Sequence, residues 1–415
     1  MPAARRTPNG AAPVQDRSLR IQTLVAAAGI PACGPSGASA HVRGITAGLA
    51  TLGHSVELFA ATERDARGSL EAPAVPWQAT GVATWPRAPR AIAHLRELRT
   101  ARGVARAALE ASRQGPPVDL VLERHSLFSD AGLKVARGLG VPLVLEVNAP
   151  QAMERQRFEG GLSPAAARRW ERRVLHQADL IVCVSPWLED WLVSELGCDT
   201  GRVKTLPNGV QGRPSAALDG ADRADGALLS AAHLRHRKRG RTLAGIEDNA
   251  WVLGFVGAFR PWHGLQLLPA LLEALPDATL LMVGAGRPGE EALWRPLVDH
   301  PRVVMAGRRP QTELADLVAA MDVGLAPYPA DAPPWFCPLK VLDYRAEGTP
   351  VVASDIGDCR RLVGDAGAIV DPGDVAAMAR AAQDWRGRRC DPAPRSWTQV
   401  ARELLSFVYP LVNAG

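Results

Sequence analysis

Lys340 and Asp343 stand three positions apart in Pro338-Leu339-Lys340-Val341-Leu342-Asp343, the opening of a short helical stretch that Gly348 stops. Residues at that spacing share a helix face, and the first turn of a helix offers free amides and a partial positive charge to an anion. Arg260 and His263 form a second pair with the same spacing, in Arg260-Pro261-Trp262-His263-Gly264, a loop that feeds a predicted helix over 265–275. Two basic side chains so placed can grip a diphosphate. The charge of a histidine there depends on pH unless a nearby dianion raises its pKa.

The elements that would position these residues alternate. Apolar runs over 251–257, 278–283, 303–307 and 323–327 read as buried strands, and Pro350-Val351-Val352-Ala353 follows the Lys340 helix as another. Gly284 and Gly286 close the 278–283 strand and would let a backbone approach a ligand closely, or simply make a tight turn. In the first half, a strand over 21–28, the turn Gly34-Pro35-Ser36-Gly37 and a helix over 38–52 have the layout of a phosphate cradle. Strands over 118–122 and 142–147 end in Glu123-Arg124-His125 and Asn148-Ala149-Pro150, and polar residues at carboxyl ends of parallel strands face the ligand crevice.

With 47% apolar residues, the length suffices for two domains, each with its own core. A net charge of +5 suits an anionic ligand but names none. The six cysteines have neither zinc-site spacing nor disulfide density, which points to reduced thiols in a cytoplasmic chain. No apolar run reaches the ~20 residues that span a bilayer. The 24–33 stretch is too short, and broken by Gly29 and Pro31, to act as a signal sequence. A basic amphipathic helix over 87–113 would suit weak peripheral membrane contact, although solvated arginines explain it as well. The basic run Arg235-His236-Arg237-Lys238-Arg239-Gly240-Arg241 has no interleaved aromatics, so it reads as a solvated linker and no nucleic-acid partner is expected.

The stretch from Trp335 to Val352 resembles glycosyltransferase family 4, retaining enzymes whose hallmark is two glutamates eight positions apart followed by Gly-x-Pro-Val-Val. Asp343 falls on the second glutamate and Trp335 on the first, within the family's Pro-Leu-Lys variant. Ala178-Asp179, Pro207-Asn208-Gly209-Val210, Gly37-Ala38-Ser39-Ala40-His41-Val42 and the Trp262-His263-Gly264 loop match further family signatures.

The resemblance implies an α/β chain of two Rossmann-like domains facing across a cleft (GT-B), with a C-terminal helix crossing back to the first domain. The divisions expected are a disordered tail at 1–18, an acceptor domain at 19–207, a linker at 208–250 with a loose helix, a nucleotide-sugar domain at 251–394 and the returning helix at 395–415. It implies transfer of a hexose-type sugar from a nucleoside-diphosphate sugar to a hydroxyl acceptor, with Arg260, Lys340 and His263 on the leaving diphosphate and Asp343 on the ribose. Gly37, Ala38, Gly284, Gly286, Pro338 and Leu339 would complete the donor site, and His125, Glu123 and Asn148 are the acceptor-side candidates. No Asp-x-Asp triplet is present to hold a metal, and no cofactor is expected. A non-catalytic relative is the alternative, suggested by Trp335, Asp343 and Asn148. Oligomeric state is not legible.

Overall fold

The computed structural model describes residues 17–34, 36–63, 71–81, 93–158, 163–210, 231–287, 289–392 and 395–413. Most of the expected tail, Pro35 and the 211–230 part of the expected linker lie outside the described residues.

Two parallel sheets organise the chain. The first contains β1 (Arg20–Val25), β2 (Ser55–Ala60), β3 (Trp77–Ala79), β4 (Leu120–Arg124), β5 (Leu143–Val147), β6 (Leu180–Cys183) and β7 (Val203–Thr205) in the order β3-β2-β1-β4-β5-β6-β7. The second contains β8 (Trp251–Val256), β9 (Ala278–Val283), β10 (Val303–Gly307), β11 (Val323–Ala326), β12 (Val351–Ser354) and β13 (Gly367–Val370) in the order β10-β9-β8-β11-β12-β13. Helices cover both faces, which is why β5 and β8 are buried along their whole length and read as continuous apolar runs. In each sheet the order turns beside the first strand, at β1/β4 and β8/β11, and ligand crevices form at the carboxyl ends of such turning points.

The C-terminal helix, Trp397–Asn413, returns to the first sheet as expected. Its Trp397, Val400, Leu404 and Val408 share a core with Ile21, Leu49 and Val144. Val210 bridges to Ser396 just before it, so the two passages between the halves run side by side.

The basic run does not behave as a solvated linker. It lies in the helix Ala231–Ala244, which packs on the helix Gln311–Ala319. Arg241 is 1% exposed, donates to the carbonyls of Glu247, Asp248 and Ala250, and pairs with Asp322 at 3.2 Å. Arg237 also reaches Asp322, at 2.7 Å, while His236 and Arg239 each meet Asp316 at 2.7 Å. Acidic partners distant in sequence therefore turn what looked like free charge into the fastening of a helix to the second sheet.

The two helices cross at Gly240, where a Cβ would lie 1.9 Å from the Asp316 carbonyl oxygen. Gly240→Ala would favour an isolated helix by about 1 kcal/mol. In this fold the clash should prevail and lower stability by about 1–3 kcal/mol, the usual range for overpacking. Denaturant unfolding of the two proteins checks the sign, and a more stable variant would mean that the helices do not cross there.

Candidate functional site

At the carboxyl ends of β8 and β11 the two strands part, pairing only at Val323↔Leu253 and Gly324↔Gly254. Tyr344 fills the gap. Its buried hydroxyl accepts from the Val256 amide at 2.9 Å and lies 3.2 Å from the Leu325 carbonyl. The helix Leu339–Ala346 is thereby anchored to the crevice, and Gly348 ends it with φ +66°, the left-handed geometry its sequence position calls for.

Lys340, in the first turn of that helix, is 6% exposed. Its Nζ has no hydrogen-bond partner among the described residues. It sits 4.0 Å from the ring centroid of Phe255 and 5.3 Å from that of Tyr328. Burial draws the ammonium down to about 7. Gly257, beside Nζ, has φ +136°, a backbone conformation that other residues rarely adopt.

His263 brings its ring against Phe255 and Tyr328 in the same box. Its Nδ1 donates to the Ala258 carbonyl at 2.5 Å. Burial and the neighbouring Lys340 charge push the imidazole well below its ordinary value, so the ring is neutral at pH 7 in the unliganded protein. Its pH-dependent charge thus falls in the acidic range until an anion arrives. Arg260, part-buried, lies 3.5 Å from Glu290, and its guanidinium is 5.9 Å from the Trp262 ring centroid. Asp343 is part-buried on the same helix as Lys340, and burial together with Glu347 raises its carboxyl to about 7.

The first domain meets this site through Gly37. A Cβ there would lie 3.2 Å from Leu339 Cδ1, so the start of the helix Gly37–Thr51 abuts the Pro338-Leu339 turn. Ser36 caps that helix by accepting from the Ser39 amide, and the amides of Gly37 and Ala38, in its first turn, have no intrahelical acceptor. Arg260, His263, Lys340 and Gly257 thus form one cluster, with Gly37 and Ala38 across the cleft. Gly284 backs the cluster, packed on the Gly257 carbonyl, whereas the small size of Gly286 makes room for the Trp294 ring.

The acceptor-side candidates are less exposed than their strand-end positions suggest. Glu123 is 1% exposed and accepts from Ser129 Oγ at 2.5 Å and the Gly132 amide at 2.8 Å, which secures the helix Ala131–Leu139. His125 is buried 3.4 Å from Glu171. Glu123 thus has local structural partners inside the first domain, whereas His125 Nε2 makes no hydrogen bond among the described residues. Asn148 is part-buried and donates to Glu146.

Sequence spacing did not reveal the network around Glu146. Burial alone would raise this carboxyl, but His41 at 2.7 Å, Arg124 at 3.0 Å and Asn148 hold it near 2. The other ring nitrogen of His41 is 2.7 Å from Asn208 Oδ1, and Asn208 Nδ2 donates to the Cys337 carbonyl at 3.3 Å. Trp335 is buried against Trp187, 5.6 Å between centroids, and its carbonyl accepts from Ser185 Oγ. Among the described residues no group of three or more His, Cys, Asp or Glu side chains could hold a metal ion, and no helix is long and apolar enough to cross a membrane.

Comparison with known proteins gives two adjoining family matches. Residues 35–211 match Glycosyltransferase Family 4 and residues 250–385 match Glycosyl transferases group 1, about three-quarters of the chain between them. A D-inositol 3-phosphate glycosyltransferase of Paenarthrobacter aurescens is 25% identical over 376 residues, covering 85% of each chain. A phosphatidyl-myo-inositol mannosyltransferase of Mycobacterium leprae is 29% identical over 266 residues, 60% of this chain and 58% of its own. Two solved structures share the fold. Sucrose-phosphate synthase from Thermosynechococcus elongatus has TM-score 0.66 at 19% identity, over 95% of both chains. Anabaena HepE, solved in complex with UDP and glucose, has TM-score 0.63 at 18% identity, over 95% of this chain and 100% of its own.

An anion entering the cluster should change its protonation. At pH 8 Lys340, near 7, is mostly neutral, and a bound diphosphate favours its charged form. Binding should therefore take up protons, and affinity should fall as pH rises above 7, by up to about tenfold per unit for each proton taken up. Asp343, also near 7, is already ionised at pH 8 and adds little. Calorimetry of nucleoside diphosphate binding in buffers of different ionisation enthalpy measures the uptake. Lys340→Met should remove the larger part and leave that of His263; uptake unchanged in the variant would place the diphosphate elsewhere.

Proposed function

Because the chain belongs to the family 4 and group 1 glycosyltransferases, with their two-domain GT-B architecture, we propose that it transfers a hexose-type sugar from a nucleoside-diphosphate sugar to a hydroxyl acceptor with retention of anomeric configuration. The observation that carries this reading is the unpartnered, buried Lys340 ammonium, which shares its box with His263, stands near Arg260 and directly follows Leu339, the residue that meets the helix start at Gly37.

In the proposed mechanism the anomeric carbon–oxygen bond to the diphosphate breaks as the acceptor oxygen attacks from the same face. The acceptor proton passes to the departing phosphate. Lys340, Arg260 and the amides of Gly37 and Ala38 stabilise the charge developing on that phosphate. His263 assists once it has gained a proton. Asp343 accepts from the ribose hydroxyls. No metal or cofactor takes part, and the reaction belongs in the cytoplasm. Glu123 and His125, being buried, support the acceptor side from inside the first domain; Asn148, part-buried just after β5, is the third acceptor-side residue.

Thermal shift against a panel of nucleotide sugars selects the donor, since a ligand at ~100 times its dissociation constant stabilises by about 2.7 kcal/mol. Turnover with acceptors then follows. Trp335 favours a second reading, a binding protein without turnover, because an indole buried between the halves supplies no carboxylate. Donor binding without transfer or hydrolysis would establish it.

Arg260→Ala and Lys340→Ala should each lose about 2–4 kcal/mol of transition-state stabilisation, the range for a removed oxyanion donor. EDTA should leave turnover unchanged. Near-normal rates in either folded variant, or dependence on Mg²⁺ or Mn²⁺, would count against the charge assignment. For Asp343, titration at pH 8 separates two roles. Asp343→Asn should weaken nucleoside diphosphate binding by about 1.5–3 kcal/mol, the worth of a hydrogen bond to a charged group, and should matter far less for a 2′,3′-dideoxyribose analogue. Equal losses for both ligands would make Asp343 a helix charge instead.

A further inference from the structure

Phe158, the last residue of the helix Gln151–Phe158 in the first domain, packs its ring 4.4 Å, centroid to centroid, from Trp262 in the second. Trp262 lies between Arg260 and His263 in the chain, and its ring is 5.9 Å from the Arg260 guanidinium and 6.1 Å from the His263 ring. Arg157 clamps the contact from the first domain. Its guanidinium lies 5.2 Å from the Phe158 centroid and donates across the cleft to the Asp331 carbonyl. Phe158 is nevertheless 37% exposed, one of six exposed large apolar side chains among the described residues. The helix that carries it begins directly after Asn148-Ala149-Pro150 at the end of β5, where Glu171 accepts from the Gln151 amide at 2.7 Å and fixes its start. A single exposed apolar ring is ordinary on a protein surface; what distinguishes this one is its place, packed across the cleft on the loop that bears two of the proposed phosphate ligands.

We infer that the Phe158–Trp262 contact is a clasp across the cleft that shields the transfer centre from water, making Phe158 a positioning residue that favours transfer over hydrolysis of the donor. The inference rests on the proposed transferase reading. In hydrolysis a water oxygen takes the acceptor's place: its bond to the anomeric carbon forms as the bond to the diphosphate breaks, and its proton leaves with the phosphate. Both reactions use the same leaving-group contacts. Opening the clasp therefore leaves Arg260 and Lys340 in place and changes mainly which oxygen arrives.

The test compares wild type, Phe158→Ala, Phe158→Tyr, Trp262→Ala and the double alanine variant, each confirmed folded by its thermal transition. Phe158→Ala should raise the ratio of hydrolysis to transfer by about two- to tenfold, the weight of one aromatic pair. Phe158→Tyr should restore it, and the double variant should show no more than the larger single effect. Release of the nucleoside diphosphate, followed by stopped flow without any acceptor, should quicken by a similar factor in Phe158→Ala. An unchanged ratio, or additive single effects, overturns the clasp. A wild type that binds donor but turns over by neither route defeats the transferase reading instead, while the release rates still decide whether the contact closes the site.

Discussion

A cation kept in the interior without an anion is the constraint around which the second domain is arranged. Burying an ammonium is costly unless something offsets the lost hydration. At Lys340 the offset is partial: two aromatic faces, Phe255 and Tyr328, attract the charge. Among the described residues no carboxylate pairs with it, and the drop of its pKa to about 7 expresses the remaining deficit. Each neighbour serves that arrangement. Tyr344 satisfies the strand ends that would otherwise need water, and Gly257 lets the strand end turn beside Nζ with φ +136°. A carboxylate in reach of Lys340 would stabilise the empty protein but would compete with any anionic ligand for the same donor.

The turn that carries Lys340 is held from the other domain. Cys337 and Trp335 present their carbonyls to Asn208 and Ser185, which belong to the first half and to its exit. Asn208 is oriented by His41, and His41 by Glu146, whose carboxylate also gathers Arg124 and Asn148. The chain of contacts runs from the end of β5 to the residue three before Lys340. Its members are all buried or part-buried, so each bond acts in a low dielectric and each missing partner would leave a desolvated group. Glu71 adds a bond on another rim, where it accepts from the Gln311 amide at the start of a second-domain helix. The cleft is therefore bordered by polar contacts that fix the approach of Gly37 to Leu339.

Much of this was legible in the sequence because the signals were local. Strand, glycine turn and helix follow one another at the expected places, and the helix over Leu339–Ala346 begins at a proline and ends at Gly348 as its residues dictate. Lys340, Arg260 and His263 converge because loops at the ends of parallel strands point one way. What could not be read was long-range. Arg241 is interior because Asp322, 81 residues away, and three carbonyls receive it. Glu123 and His125 sit at a strand end, where polar residues often face a ligand, yet Ser129 and Gly132 engage Glu123 and His125 is buried 3.4 Å from Glu171. Composition showed charge in each case; only packing shows which partner claims it.

Trp335 marks the sharpest departure from the resemblance. Where a carboxylate is expected, the chain has an indole that is 2% exposed and packed on Trp187 of the other domain. An aromatic of this size contributes apolar burial, and its Nε1, a donor with no hydrogen-bond partner among the described residues, cannot take a proton as a carboxylate does. The backbone beside it is also fixed, because the Phe336 carbonyl accepts from the Asp358 amide and Gly357 leaves no room for a side chain against Pro334 and Phe336. This stretch is thus committed to joining the two halves. The consequence reaches the chemistry. With the position filled by packing, stabilisation of a leaving diphosphate must come from Lys340, Arg260, His263 and helix amides, all of which favour negative charge; the two that could take a proton from an acceptor at neutral pH, Lys340 and a neutral His263, are both drawn toward their charged forms by a bound diphosphate. That histidine gives its Nδ1 proton to Ala258 and lies beside the Lys340 ammonium, so an approaching diphosphate would draw a proton onto it rather than leave it a base. The electrostatics of the pocket therefore favour a reaction in which the departing phosphate itself accepts the proton.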